Sequence, residues 1–299
     1  MATLGTKIRT RSFRLWKELY HRFLNRSPHQ TTHVFIVGCQ RSGTTLMDDV
    51  FDTDRNTKVY REVSKLSSFA PIEDGLRRFK PLMLVENQLR RDRAPLVVMK
   101  PLVETQQADH ILEHFSEAKA IWMYRHYLDV ASSNLAHFGI RNGINNIRPI
   151  AVDENSNWRS ERVPEPTRLL VKKYFSEEMN PYDAAVLFWY VRNCFFFDLG
   201  LDRHPRVMML NYETLVSNPP LAMQRVYAFL GNEYPGDHIV DMVKTSSLGK
   251  GRSVEISAEI GTLAADMLGR LDNAFAGQEH FGANERRLSS ELTRREAAG

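Results

Sequence analysis

The chain has 299 residues, 42% of them hydrophobic and 25% charged, with 40 Lys and Arg against 36 Asp and Glu. That balance supplies enough apolar surface for a full core and excludes global disorder. The longest apolar stretch, Ala184 to Phe197, is interrupted by Arg192 and Asn193, so no membrane-spanning helix is expected. Two cysteines, Cys39 and Cys194, cannot build a disulfide framework and fit a reducing compartment. The first 30 residues hold no apolar stretch of signal-peptide type, and the expected location is cytoplasmic.

The net charge of +4 is unevenly spread. Residues 1–30 carry Lys7, Arg9, Arg11, Arg14, Lys17, Arg22 and Arg26 against Glu18 alone, which leaves the rest of the chain at −2. A body of that sign is a poor nucleic-acid binder, and no nucleic-acid partner is expected. In the basic segment Phe13, Trp16, Tyr20, Phe23 and Leu24 share one helical face, with Leu15 and Leu19 beside it. Two arrangements are open: the stripe packs on the domain, or residues 8–26 rest on an anionic membrane surface or a partner.

Farther along, apolar runs of buried-strand type stand at 34–37, 96–99, 120–124 and 207–210. Helical patterns lie at 44–51, 105–115, 128–138, 182–199 and 221–230. This alternation predicts an α/β fold, a single domain whose central parallel sheet is flanked by helices. Residues 139–165 break the rhythm with Gly, Asn, Pro and charge, and read as a lid or mobile insertion. The expected organisation is a basic amphipathic helix over 1–30, a catalytic domain over 31–276 and a polar tail over 277–299.

The strongest local signal follows the first strand. Gly38 and Gly43 stand at phosphate-loop spacing and are followed by Thr44 and Thr45, so backbone N–H groups and a helix start can face an anion. Thr44 occupies the place where a nucleotide triphosphatase carries its Lys, and the positive charge comes from Arg41 within the loop. Such a site suits a phosphate ligand that needs no metal. A second signal is Arg125 at a strand end, with Ser133 eight residues on: a guanidinium fork and a hydroxyl suited to a second phosphate.

Together these segments resemble the PAPS-dependent sulfotransferases, whose donor is 3′-phosphoadenosine 5′-phosphosulfate (PAPS; product PAP). The resemblance runs from residue 33 to about 273 and implies a P-loop-like sulfotransferase fold. By it Arg41, Ser42, Gly43, Thr44 and Thr45 hold the 5′-phosphosulfate, and Arg125 with Ser133 hold the 3′-phosphate. Tyr212, in Leu210-Asn-Tyr-Glu-Thr, falls near the nucleotide. Ser247, Lys250 and Arg252 match a nucleotide-wrapping loop more loosely, and a plain solvated loop is the alternative. The Arg-bearing loop is closer to the tyrosylprotein and carbohydrate enzymes than to the cytosolic aryl type. Lacking their anchor and paired cysteines, the chain resembles a bacterial-type intracellular relative.

For catalysis the resemblance implies Glu62 as general base and Arg41 with Lys100 as donor stabilisers. The alternatives are a loop carboxylate paired with Arg61 and an exposed strand-end lysine. Leu102 stands where the aryl enzymes carry a histidine. His110 and His114 lie one turn apart and read as surface residues, so no metal is expected. The acceptor is a small molecule or glycan whose pocket is expected from residues 65–94 and 139–178. Two rival functions are a nucleotide kinase or NTPase, and a non-catalytic nucleotide-binding or membrane-docking protein.

Overall fold

The computed structural model describes residues 4–24, 31–69, 77–251 and 253–296. Five strands form one all-parallel sheet: β1 (Thr32–Gly38), β2 (Thr57–Tyr60), β5 (Leu96–Met99), β6 (Lys119–Tyr124) and β7 (Val207–Asn211). Their spatial order is β2-β5-β1-β6-β7, with Val34 opposite Val98 and Val37 opposite Trp122. A two-stranded antiparallel hairpin, β3 (Ser67–Phe69) and β4 (Arg77–Phe79), stands apart from it. The chain leaves β1 toward β2 and later crosses back to β6, so the sheet's switch point lies where β1 ends. Ligands of open parallel sheets gather at that crevice.

Alternate residues of the strands feed opposite cores, as the two-residue period requires. Val34, Ile36, Val98, Ile121 and Met123 meet α2 (Thr44–Thr53), α9 (Tyr212–Ser217) and α10 (Pro219–Leu230). Phe35, Val37, Val97, Met99 and Trp122 face the other layer. That layer holds α3 (Leu82–Leu89), α4 (Ala108–His114), α5 (Tyr127–Phe138), α6 (Asn142–Ala151), α7 (Glu165–Tyr174), α8 (Pro181–Asp198) and α11 (Ala258–Glu296). The four apolar runs of the sequence are the three inner strands, β5, β1 and β6, and the edge strand β7. β2, Thr57-Lys58-Val59-Tyr60, is β-favouring at three positions but carries no apolar run and went unpredicted.

The interrupted apolar stretch is α8, a helix buried nearly all round against α5, α6 and α11. Its Asn180 side chain accepts the Tyr182 N–H, and Pro181 starts the first turn, which fixes where it begins. Arg192 is buried here because its guanidinium is satisfied: Nη1 donates to Gln106 Oε1 at 2.9 Å and Nη2 to the Leu102 carbonyl at 3.1 Å. Desolvation pulls its pKa down to about 10. Among the described residues no helix is long and apolar enough to cross a membrane.

Residues 139–165 do not form the expected lid. Their first half is α6, with Ile144, Ile147 and Ile150 buried against α8. The Asn, Gly and Pro around these isoleucines masked a regular one-turn spacing. Gly143, read as a breaker, is a packing residue, since a Cβ there would lie 2.5 Å from the Pro181 carbonyl oxygen.

The N-terminal helix α1 (Leu4–Leu19), continued by a π-helical turn at Tyr20–Leu24, reverses the first expectation for it. It docks by its polar edge. Arg14 Nε donates to Asp52 at 2.6 Å, Lys17 Nζ to the Asp52 and Asp54 carbonyls at 2.8 and 3.1 Å, and His21 Nε2 to the Arg55 carbonyl at 2.8 Å. The end of α2 presents unpaired carbonyls and carboxylates, which attract cations more strongly than rings. Leu15, Trp16, Leu19 and Phe23 therefore point outward, while Phe13 and Tyr20 are half-buried. The Leu24 side chain lies outside the described residues.

Candidate active site

Between β1 and α2 the chain makes a tight loop. Gly38 and Gly43 have φ of 128° and 95°, and Arg41 between them has φ of 68°, a left-handed conformation that is strained for a residue with a Cβ. Gly43 is required twice over, because a Cβ there would sit 2.3 Å from Cδ2 of Tyr212. The loop folds back across the sheet toward α5, where Arg41 Nε donates to Ser133 Oγ at 3.0 Å. Burial and the neighbouring Arg125 guanidinium both lower the Arg41 pKa.

Arg125 leaves the end of β6, buried, with its guanidinium carbon 4.2 Å from the Tyr212 ring centroid. Nη2 donates to Asp129 Oδ2 at 3.1 Å and to the Ser247 carbonyl at 2.5 Å. Its Nε, also buried, has no hydrogen-bond partner, and neither does the buried Ser42 hydroxyl. Tyr212 and Ser247 are joined through their hydroxyls. The segment 245–251 is held by Asp129, which accepts the Gly249 N–H at 2.9 Å and the Gly251 N–H at 2.6 Å. Lys250 is placed beside α5, its carbonyl accepting from Ser132 Oγ at 3.3 Å.

Around these groups lies a cavity of about 430 Å³ lined by Arg41, Gly43, Thr44, Thr45, Arg125, Ser133, Tyr212, Ser247 and Lys250. That volume lies in the range of small-molecule sites, and the Arg41 and Arg125 guanidiniums on its wall suit an anion, although Arg125 Nε also stands 4.0 Å from Glu213 Oε1. Every residue expected to bind the donor nucleotide lines this cavity except Ser42, whose side chain is buried within the loop, and Arg252, which lies outside the described residues; Lys100, the expected donor stabiliser, stands outside it.

On the other side of Thr45 stands a second cluster. Lys100, at the end of β5, is anchored by its N–H to the Tyr60 carbonyl at 3.1 Å. Its ammonium lies 3.1 Å from Thr45 Oγ1, 3.0 Å from Asp48 Oδ2 and 3.4 Å from Glu62 Oε1. Lys100 is thus 6% exposed and not a solvated strand end. Glu62 keeps 42% of its side chain in solvent and does not pair with Arg61, which turns to Asp49 at 2.6 Å. A small cleft beside the pair is lined by Glu62 and Lys100 and, from the hairpin, by Ser67, Arg77 and Phe79. No residue of the 139–178 stretch lines this cleft; Glu161 meets the hairpin beside it, accepting from Arg78 Nη2 at 2.8 Å.

Two residues of this arrangement carried no role in the sequence reading. Asp48 is fully buried, and burial raises its pKa to about 6 despite the lysine beside it. Its signal was a position one helical turn after Thr44 and Thr45. Asp129, four residues after Arg125, ties the 249–251 amides to the arginine. Away from the site, His110 is exposed and His114 pairs with Glu86 at 3.3 Å. Both cysteines are free and buried, which pushes their thiols up to about 12.

A sequence profile described as the sulfotransferase domain matches residues 31–267. The chain belongs to the sulfotransferase domain family. Its chemistry is therefore sulfuryl transfer, on a single α/β domain built round a parallel sheet. Among solved structures, the sulfotransferase domain from the curacin biosynthetic pathway is 16% identical, with a TM-score of 0.50 over 80% of this chain and 98% of that one. The sulfotransferase domain of the Synechococcus PCC 7002 olefin synthase is 18% identical, with a TM-score of 0.47 over 81% and 96%. A sulfotransferase from Alicyclobacillus acidocaldarius is 16% identical, with a TM-score of 0.48 over 83% and 96%. No curated protein gives a significant match.

Proposed function

We propose that this sulfotransferase moves the sulfuryl group of PAPS to a hydroxyl or amine of a small-molecule or glycan acceptor, in the cytoplasm. The observation that carries the reading is Lys100, whose ammonium touches the donor loop at Thr45 and the acceptor side at Glu62. Residues 31–276 form the catalytic unit in this reading, with 1–30 and 277–299 as accessory segments. Arg41 and the loop amides hold the 5′-phosphosulfate, and Arg125, Ser133 and Tyr212 hold the adenosine 3′-phosphate end. Ser247, Lys250 and Arg252 belong to the segment that closes over the nucleotide.

The reaction breaks the bond from sulfur to the bridging oxygen of the donor and forms a bond from sulfur to the acceptor oxygen or nitrogen. Negative charge builds on the bridging oxygen as PAP leaves, and a preorganised cation there lowers the barrier. Lys100 and Arg41 supply that charge. The acceptor's proton passes to Glu62, whose partial exposure lets it meet an incoming hydroxyl. Asp48 takes no proton from the acceptor; it keeps the Lys100 ammonium fixed between the two substrates.

Thermal unfolding tests the donor assignment. PAP without metal raises Tm, whereas ATP with magnesium leaves it nearly unchanged. Stabilisation by ATP with magnesium equal to that by PAP would overturn the reading in favour of a nucleotide triphosphatase.

A further inference from the structure

We infer that α1 is an interfacial helix that lays its outward face on an anionic lipid bilayer while its polar edge stays clamped to the domain. Docking through Arg14, Lys17 and His21 uses one edge of the helix and leaves Leu15 57%, Trp16 46%, Leu19 57% and Phe23 61% exposed. Those four positions fall on one helical face, and so many large apolar side chains together mark a contact surface. The Trp16 indole is stacked between Phe13 and Tyr20, with centroids at 5.8 and 5.2 Å, so the face is preformed. Aromatic rings of this kind favour the headgroup level of a membrane.

Charge selects the occupant. Asp52 accepts Arg14 and Lys17, and by sequence the segment 1–30 carries five further cations, Lys7, Arg9, Arg11, Arg22 and Arg26, with Glu18 as its only acid. Arg22 is exposed, its guanidinium 5.4 Å from the Phe23 ring centroid, so cation and apolar ring share one side. A second copy of the helix would bring like charges together, and a neutral protein groove would leave them unmatched. An anionic lipid surface satisfies both the rings and the cations. The inference does not depend on which acceptor is sulfated.

The test uses the full chain with vesicles of phosphatidylcholine, with and without phosphatidylglycerol, carrying brominated acyl chains. Trp122, Trp158 and Trp189 are 0%, 6% and 0% exposed, so quenching reports on Trp16. Expected are quenching and co-sedimentation with anionic vesicles, at least roughly tenfold tighter than with neutral ones and weakened by salt. The triple variant Leu15→Ser, Leu19→Ser, Phe23→Ser should lose both signals while keeping Tm, PAP stabilisation and sulfuryl transfer. Absence of quenching and sedimentation in the parent chain overturns the inference. So does a dimer in sedimentation equilibrium that the triple variant dissolves, which would assign the face to a second copy.

Discussion

Lys100 faces two carboxylates and a hydroxyl, and each partner does something different to it. Thr45 places the ammonium against the donor loop, Glu62 brings it to the acceptor, and Asp48 holds it from below. Lys100→Met should lower kcat by roughly 10²- to 10³-fold, the usual cost of a lost charge-stabilising donor. Glu62→Gln should lower kcat/KM by about 10²- to 10⁴-fold, as expected for a lost general base. Both variants should keep the Tm increase with PAP, and steady-state kinetics beside thermal unfolding checks the pair. Full transfer by Glu62→Gln would remove it as the base.

Asp48 makes a separate prediction. Its pKa of about 6 in the folded protein lies above the ordinary 3.8, so the folded chain binds a proton that the unfolded chain has released. The cost of its buried charge is thus fully present above pH 6 and relieved as the pH falls toward 4. Asp48→Asn carries no such cost, so its stability relative to the parent should fall by about 1 to 2 kcal/mol between pH 8 and pH 5, read by urea unfolding. Protonation of Asp48 also removes a partner of Lys100. The residual activity of Glu62→Gln should therefore keep an acid limb near pH 6, which Asp48→Asn abolishes. Glu62 and Lys100 could be pointed to because the resemblance assigns a carboxylate after the phosphate-loop helix and a lysine at a strand end. Asp48 could not, because Asp48-Asp49 reads as the wet side of an amphipathic helix until the fold closes over it.

At the scale of elements, the loop between β1 and α2 is shaped by its neighbour α9 as much as by itself. Tyr212 starts α9 and fills the space where Gly43 has no side chain. Gly43→Ala must both adopt φ near 95° and displace the tyrosine ring, so a stability loss of about 1–3 kcal/mol is expected. The same change should erase the PAP-dependent Tm increase, because Tyr212 also supports Arg125. The inner strands could be read from sequence because strands buried on both faces are apolar throughout. α6 could not, since its three isoleucines are set among Asn, Gly and Pro whose purpose appears only when α8 lies alongside. For α1 the pattern was legible but the docking face was not. Amphipathicity says which residues share a side; it says nothing of what the partner surface offers, and here that surface is the charged end of α2.

Over the whole molecule, the charge imbalance of the sequence becomes a division of space. α1 is clamped at the far end of α2 from the phosphate loop, so its Arg14 and Lys17 do not line the donor cavity, which draws on Arg41, Arg125 and Lys250. Lys17 is the clamp, with 4% exposure and two carbonyls and a carboxylate as acceptors. Lys17→Ala should free the segment: limited proteolysis should cut within residues 1–30 faster, while the Tm of the body and its increase with PAP change little. Resistance equal to the parent's would show that the clamp lies elsewhere.

Asp52 receives Arg14 and Lys17 from α1 and also stands 3.6 Å from Arg61, the residue before Glu62. One carboxylate is thereby shared between the docking helix and the segment that bears the base. Binding free energies coupled through a common group are reciprocal. Whatever an acceptor gains in affinity when the helix is seated, the helix gains in seating when the acceptor arrives.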